Sequence, residues 1–323
     1  MFRNSRRQFL SQGALLAGAI ASGSIDLATG HLPMATAIEP IRRAAPAQWK
    51  YSLAAYSYRD LFGKSATSPS TPPDKTAAID PAFTLYDFVD DCARLGCHGT
   101  ELTSYYFSPT VTAAELQNLR RHCFRQGLEV SGTAVGNDFG KADKTARDAE
   151  IASVKTWIDR AALLGAPVIR IFAGNLPGGT DHTAGIAQIV SCIEECCDYA
   201  GRHGIHLALE NHGGPTATAE GLLEIVRRVN SPWFGVNLDT GNFHSENLYD
   251  ELARCAPYAL NVQVKVATSG PDGKKTPTDY PRLGKILRDA GYRGYVVLEY
   301  EEGGDPRAAC QEHFAAMRKG MEA

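Results

Sequence analysis

Cysteine is thinly spread in this chain. Eight residues in 323, with no Cys-x-x-Cys pair among them, are too dilute for a disulfide scaffold or a thiolate zinc site. They read as buried single thiols. Basic excess is also missing. Lys and Arg total 33 against 36 Asp and Glu, a net charge of −3, which speaks against a nucleic-acid partner. No apolar run approaches the roughly 20 residues of a membrane span, so no stable span is expected. Histidine is scarce, nine in all, and supplies no His-rich cluster at the strand ends. No Gly-x-Gly-x-x-Gly loop follows the first predicted strand, which disfavours an open dinucleotide-binding sheet. What is present, 44% hydrophobic and 21% charged residues, is the balance of a globular chain with a large core.

The N-terminus carries an address. Ser5-Arg6-Arg7-Gln8-Phe9-Leu10 precedes a modestly apolar Gly- and Ala-rich run, Gly13–Ala21, and Ala35-Thr36-Ala37 offers a small-residue cleavage site. Paired arginines before such a run predict a twin-arginine export signal over 1–37, and hence a periplasmic or otherwise exported protein. Residues 38–50 are expected to be a linker and 51–323 the catalytic domain.

From Tyr51 onward, short apolar segments alternate with longer amphipathic ones. Strands are predicted at Tyr51–Ser57, His98–Leu102, Leu128–Ala134, Pro167–Ala173, Ile205–Glu210, Trp233–Asp239, Leu260–Val266 and Tyr295–Tyr300. Helices are predicted at Thr84–Leu95, Ala113–Gln126, Thr145–Leu164, Ile186–His203, Ala219–Val229, Tyr280–Ala290 and Arg307–Met317. Gly96, Gly165, Gly204 and Gly291 stand where four of these helices should stop. Eight strands with helical crossovers imply parallel pairing, and the count of eight points to a single (β/α)8 barrel. The Pro- and Ser-rich stretch 59–82 interrupts the pattern on the face where barrel active sites lie. It reads equally as a lid or as a surface insertion.

The last four predicted strands each carry one oxygen-bearing side chain near the end: Glu210, Asp239, Gln263 and Glu299. Their spacings of 29, 24 and 36 residues are each about one βα unit, so a barrel would bring them to one mouth. Three buried carboxylates without a counter-charge would cost several kcal/mol each. A divalent cation would relieve that cost, and an all-oxygen set suits Mn²⁺ or Mg²⁺ ahead of Zn²⁺ or Co²⁺.

On these segments, Leu207–Gly214, Val236–Asn242, Asn261–Lys265 and Val296–Glu299, the chain resembles the sugar isomerase/epimerase superfamily of xylose isomerase-like TIM barrels. The resemblance implies one divalent metal held by Glu210, Asp239, Gln263 and Glu299. Gln263 stands where the family usually carries His. Asn242 stands where many epimerases carry a substrate-binding His. The resemblance further implies a small sugar or keto sugar as substrate, with Glu210 and Glu299 as acid/base residues. A lyase or dehydratase on a keto sugar or 3-keto-glycoside would use the same site. A non-catalytic sugar-binding barrel and a trinuclear-zinc endonuclease fit less well, because both glutamates are present and the His cluster is not.

Other residues fall on the same face by topology. His212 and Lys265 are candidates for substrate contact, with Lys265 placed to neutralise an enolate oxygen. Arg170 on the fourth strand either turns inward, with Glu101 as its anionic partner, or outward to a helix carboxylate. Asn137 follows the third strand and either meets substrate or caps a loop, and Asn242 joins the substrate-binding set. Homo-oligomerisation is left open. The export reading has a direct test. Arg6→Lys with Arg7→Lys should leave the protein folded but retained in the cytoplasm, and export that persists in cell fractions would show the N-terminus to have been misread.

Overall fold

The computed structural model describes residues 38–62 and 83–323. The export signal over 1–37 and most of the 59–82 stretch, including any lid there, lie outside the described residues.

Eight parallel strands close into a barrel. In chain order they are β1 (Lys50–Ala54), β2 (Gly99–Thr103), β3 (Glu129–Ala134), β4 (Val168–Ile171), β5 (His206–Glu210), β6 (Phe234–Asp239), β7 (Ala259–Lys265) and, after a short hairpin, β10 (Tyr295–Glu299). The order around the barrel is β1-β10-β7-β6-β5-β4-β3-β2. Helices α1 (Leu85–Arg94), α2 (Ala113–Arg125), α3 (Lys144–Leu164), α4 (His182–Arg202), α5 (Ala219–Arg228), α6 (Leu248–Cys255), α7 (Tyr280–Asp289) and α8 (Pro306–Met321) form the crossovers and the outer layer. The expected (β/α)8 barrel is what the chain forms.

Local chemistry sets the helix boundaries. Thr84 with Asp87 and Thr112 with Glu115 form reciprocal capping boxes at the starts of α1 and α2. Asp143, Asp181, Thr218, Asp279 and Asp305 cap α3, α4, α5, α7 and α8. Gly165 ends α3 at φ 78°, a left-handed conformation that glycine adopts without a side-chain penalty.

Strand alternation sorts the barrel into two environments. Leu207, Leu209, Val236, Leu238, Val262, Val264, Val296 and Leu298 are buried and belong to the apolar core shared with the helices. The alternate residues, Glu101, Arg170, Glu210, Asn237, Asp239, Asn261, Gln263, Lys265 and Glu299, are polar and also buried. The register shifts between Thr100 and Glu101 and between Val236 and Asn237, so irregularities sit just before the polar layer on β2 and β6.

Two features depart from the sequence reading. Helix α6 was not expected. It has only eight residues, and its N-cap Asn247 makes no side-chain capping bond, so it gave little signal. A hairpin, β8 (Ala267–Ser269) with β9 (Lys275–Pro277), follows β7. Lys275 lies exposed in β9 and pairs with Glu302 at 2.7 Å. The described part of the expected linker is bonded to the N-terminal end of the barrel. Ile41 N–H donates to the Pro257 carbonyl at 3.0 Å, Arg43 to Ala259 at 2.6 Å and Gln48 N–H to Tyr292 at 3.0 Å. All eight cysteines are buried and free, as expected.

The loops after β3 and β4 are joined at the catalytic end. Asp138 Oδ1 accepts from Gly140 N–H at 2.9 Å and from Asn175 N–H at 3.1 Å. A Cβ on Gly140 would lie 2.2 Å from the Asn175 carbonyl oxygen, a backbone atom with little freedom to yield. Gly140→Ala should therefore destabilise the fold by about 1–3 kcal/mol, the range for overpacking. Thermal denaturation checks this, and an unchanged midpoint would show that the two loops are not locked together.

Candidate functional site

The carboxyl ends of β5, β6, β7 and β10 bring Glu210, Asp239, Lys265 and Glu299 to one mouth. Each is the last residue of its strand. Glu210 and Glu299 stand three strands apart around the ring of eight. Separation on that scale lets two carboxyl groups approach one bound molecule from different sides.

Two cations hold these acids. Arg170 Nε lies 2.9 Å from Glu210 Oε2. Asn242 Nδ2 donates to the other oxygen, Glu210 Oε1, at 2.9 Å. Lys265 Nζ lies 3.2 Å from Asp239 Oδ2 and 2.9 Å from Glu301 Oε1, and donates a short hydrogen bond to Glu299 Oε2. Arg170 thus turns inward, but its partner is Glu210 and not the expected Glu101. Arg170 is level with Ala208, two residues before Glu210, and through Ala134 with Thr103, two residues after Glu101, and its guanidinium extends toward the mouth, to the higher of the two acids. A long guanidinium stem spans that rise, with its charge 4.0 Å from the centre of the Phe172 ring.

Below the mouth lies an amide network. Gln263 Oε1 accepts from Asn237 Nδ2 at 2.6 Å, and Gln263 Nε2 donates to Glu101 Oε1 at 2.8 Å. Asn261 Nδ2 donates to Glu101 Oε2 at 3.0 Å and to Asn237 Oδ1 at 2.8 Å. All four residues are buried. Asn237 and Asn261 were not singled out from sequence, although each precedes a chosen residue by two and so shares its strand face.

Burial drives the electrostatics. It pushes the Glu101 carboxyl up to about 7, aided by Glu299 and opposed by Arg170. It likewise pushes Asp239 up to about 7, against the pull of Lys265. Burial raises Glu210 well above the ordinary carboxylate range, and the opposing pull of Arg170 is the smaller effect. Burial opposes the charge on Lys265, but Asp239, Glu299 and Glu301 more than compensate and hold the ammonium charged.

The remaining candidates divide. Asn137 donates to the Phe172 carbonyl at 2.8 Å and accepts from the Phe172 N–H at 2.9 Å, so both ends of its amide hold the loop after β4. That is the loop-holding alternative and not the substrate-facing one. His212 lies at the rim with its ring 4.4 Å from that of Phe172. Glu101 sits in the amide network beneath the mouth. Tyr56 and Tyr105, from the ends of β1 and β2, pack edge to face at 6.3 Å and add an aromatic wall. Strands β2 and β6 are diametrically opposed in the ring, so this wall faces Asp239 across the mouth.

Comparison with known proteins places this geometry. The family model for xylose isomerase-like TIM barrels matches residues 89–320. The chain belongs to the xylose isomerase-like TIM barrel family. It is 29% identical over 177 residues to a Mus musculus protein named "Putative hydroxypyruvate isomerase", covering 48% of this chain and 62% of that one. A Homo sapiens protein of the same name is 28% identical over 164 residues, covering 45% and 57%. The matches thus span about three fifths of these relatives. Among solved structures, D-psicose 3-epimerase in the presence of D-fructose superposes with a TM-score of 0.66 at 18% identity, covering 85% of this chain and all of that one. The 3-keto-D-glucoside 4-epimerase of E. coli gives 0.63 at 16%, covering 84% and all of its chain. At these identities the structures speak for the barrel alone.

The family resemblance implied a divalent metal on Glu210, Asp239, Gln263 and Glu299, and the residues do not fit that set. Both ends of the Gln263 amide are engaged in the lower network. The Lys265 ammonium stands among Asp239, Glu299 and Glu301. Among the described residues, no group of three or more His, Cys, Asp or Glu is gathered to hold a metal ion.

The raised carboxyls have a consequence for stability. A carboxyl whose pKa is higher folded than unfolded contributes stability at low pH that is lost as pH rises through the folded value. For Glu101 and Asp239 the window runs from the ordinary carboxylate range up to about 7. Denaturant midpoints should therefore fall between about pH 5 and 8. Glu101→Gln, a neutral mimic of the protonated acid, should remove about 3 kcal/mol of that dependence. A midpoint series with the same slope in Glu101→Gln and the parent would contradict the assignment.

Proposed function

We propose that the protein is a sugar isomerase- or epimerase-type enzyme that moves a proton on a carbon beside the carbonyl of a neutral keto sugar. The observation that carries this reading is the placement of Glu210 and Glu299 on strands three apart, each beside a cation and both at one buried mouth. Glu299, ion-paired to Lys265, takes the proton from carbon. Glu210, whose carboxyl burial holds above the usual range, is the partner acid that returns the proton from another side. The reverse reaction exchanges the roles. Arg170 and Asn242 orient Glu210 through its two oxygens.

Charge favours a neutral substrate. Among the described residues, the carboxyl groups of Glu101, Glu210, Asp239, Glu299 and Glu301 outnumber the two buried cations beside them, Arg170 and Lys265, and both cations are already paired. A sugar phosphate would bring further negative charge to this mouth. The names of the relatives support sugar chemistry in general, since they include epimerases of D-psicose and of a 3-keto-D-glucoside. Export through the twin-arginine route, as the N-terminal motif suggests, would keep the enzyme away from most sugar phosphates.

The test is solvent-deuterium incorporation across a panel of ketohexoses and 3-keto-glycosides. Deuterium should enter the substrate carbon beside the carbonyl. Glu210→Gln and Glu299→Gln should each slow turnover by roughly 10²–10⁴-fold, the scale of acid/base loss. An unsaturated ketone in place of exchanged substrate would assign the lyase reaction to the same site. Full activity in both variants would remove the two glutamates from the mechanism.

A further inference from the structure

The Lys265 side chain is set into the mouth by its surroundings. Its backbone N–H donates to Thr240 Oγ1 at 3.0 Å, and Thr278 Oγ1 donates to its carbonyl at 2.6 Å. Its stem passes over Gly241, where a Cβ would lie 2.6 Å from Lys265 Cγ and 3.0 Å from Lys265 Cβ. The absence of a side chain at 241 is what lets the stem lie there. At its end the ammonium meets three carboxylates from three segments: Asp239 on β6, Glu299 on β10 and Glu301 just beyond it. Asp239 Oδ2 is buried without a hydrogen-bond partner, and this ammonium is the charge that faces it.

We propose that Lys265 is the resident cation of this barrel, taking the place and the electrostatic role of the divalent metal that the family resemblance implies. The inference rests on the proton-transfer reading for its chemistry but not for its binding test. Two of the implied metal ligands, Asp239 and Glu299, are bound to the ammonium instead, and the third, Gln263, is held in the amide layer below. Glu210 has its own cation in Arg170. Each implied ligand therefore has a protein partner.

The electron bookkeeping closes without a further reagent. The substrate C–H bond breaks and its proton passes to a glutamate oxygen. The C–H electron pair forms the C=C bond of the enolate, and the carbonyl π pair becomes a lone pair on the enolate oxygen. That oxygen is met by an N–H of Lys265. Reprotonation reverses the flow. An ammonium has three N–H donors, and three carboxylates crowd them here, Glu299 by a hydrogen bond and Asp239 and Glu301 as ion-pair contacts. The substrate oxygen must displace one, and Glu301 is the candidate, because its side chain is 39% exposed while those of Asp239 and Glu299 are 0% and 6%.

Manganese titration of the purified, chelator-treated full chain tests this, with free Mn²⁺ followed by electron paramagnetic resonance. The wild-type protein should take up no stoichiometric Mn²⁺ at micromolar concentrations. Lys265→Met should bind one Mn²⁺ per chain at least about tenfold more tightly, since it frees Asp239 and Glu299 while removing a positive charge. Solvent-deuterium exchange by wild type should persist in excess chelator. Stoichiometric micromolar binding by wild type would overturn the proposal, and so would equal binding by the two proteins. The wild-type titration decides the matter even where Lys265→Met fails to fold. Absence of exchange on every sugar tried would sink the proton-transfer reading while leaving the binding result to decide which cation resides there.

Discussion

Several carboxyl groups packed into one dry barrel mouth must be neutralised, and the contact between Lys265 and its carboxylates is the main answer this chain provides. An unpaired buried carboxylate costs several kcal/mol. Asp239, Glu299 and Glu301 share one ammonium, and Glu210 has a guanidinium. Much of the surrounding structure follows from holding those two cations in place. Gly241 makes room for the lysine stem, Thr240 and Thr278 fix its backbone, and Phe172 lies against the arginine. Asn137 in turn fixes Phe172 through both of its backbone hydrogen-bonding groups.

The amide layer beneath has a different character. Glu101, Asn237, Asn261 and Gln263 bond to one another, so a polar interior replaces the aliphatic layers common in such barrels. A network with its members bonded makes a rigid floor. The orphaned atoms lie above it. Glu210 Oε2 and Asp239 Oδ2 are buried, lack a hydrogen-bond partner and face only their cations. Arg170 Nε is buried without a hydrogen-bond partner as well, so the incomplete bonding gathers around the charged groups and not in the amide layer.

The barrel was legible because its signals repeat. Strand and helix periods alternate, and glycines stand where four of the helices stop. Glu210, Asp239 and Glu299 were legible because a carboxylate at the end of successive strands has no place in a plain core. Partner choice was not legible. Sequence spacing gives the strand on which Arg170 lies but not which way its guanidinium extends, down toward Glu101 or up to Glu210. Gln263 was misplaced for a related reason. Its strand position is level with Asp239, with which it pairs in register, but its long side chain reaches Asn237 and Glu101 in the lower layer. Asn237 supplied a close donor there, and a flexible amide follows its nearest partners. Glu301 escaped notice because it lies two residues past the strand, where alternation no longer dictates direction.

The mouth is also asymmetric, and that bears on how one carbon is selected. Tyr56 and Tyr105 come from β1 and β2, while Asp239 and Lys265 come from β6 and β7 across the ring. A keto sugar has apolar C–H faces and polar hydroxyl edges. Its C–H face suits the aromatic wall, and its oxygens suit the carboxylates and the ammonium. Binding in that sense fixes which edge of the sugar meets Lys265, and hence which carbonyl is polarised. The two glutamates then need no broad reach. In the proposed reaction their strand positions would set them beside the carbon next to that carbonyl, above the amide floor. In the proposed reaction, selectivity for one carbon would follow from two walls of opposite chemistry, and the proton transfer from the two acids set between them.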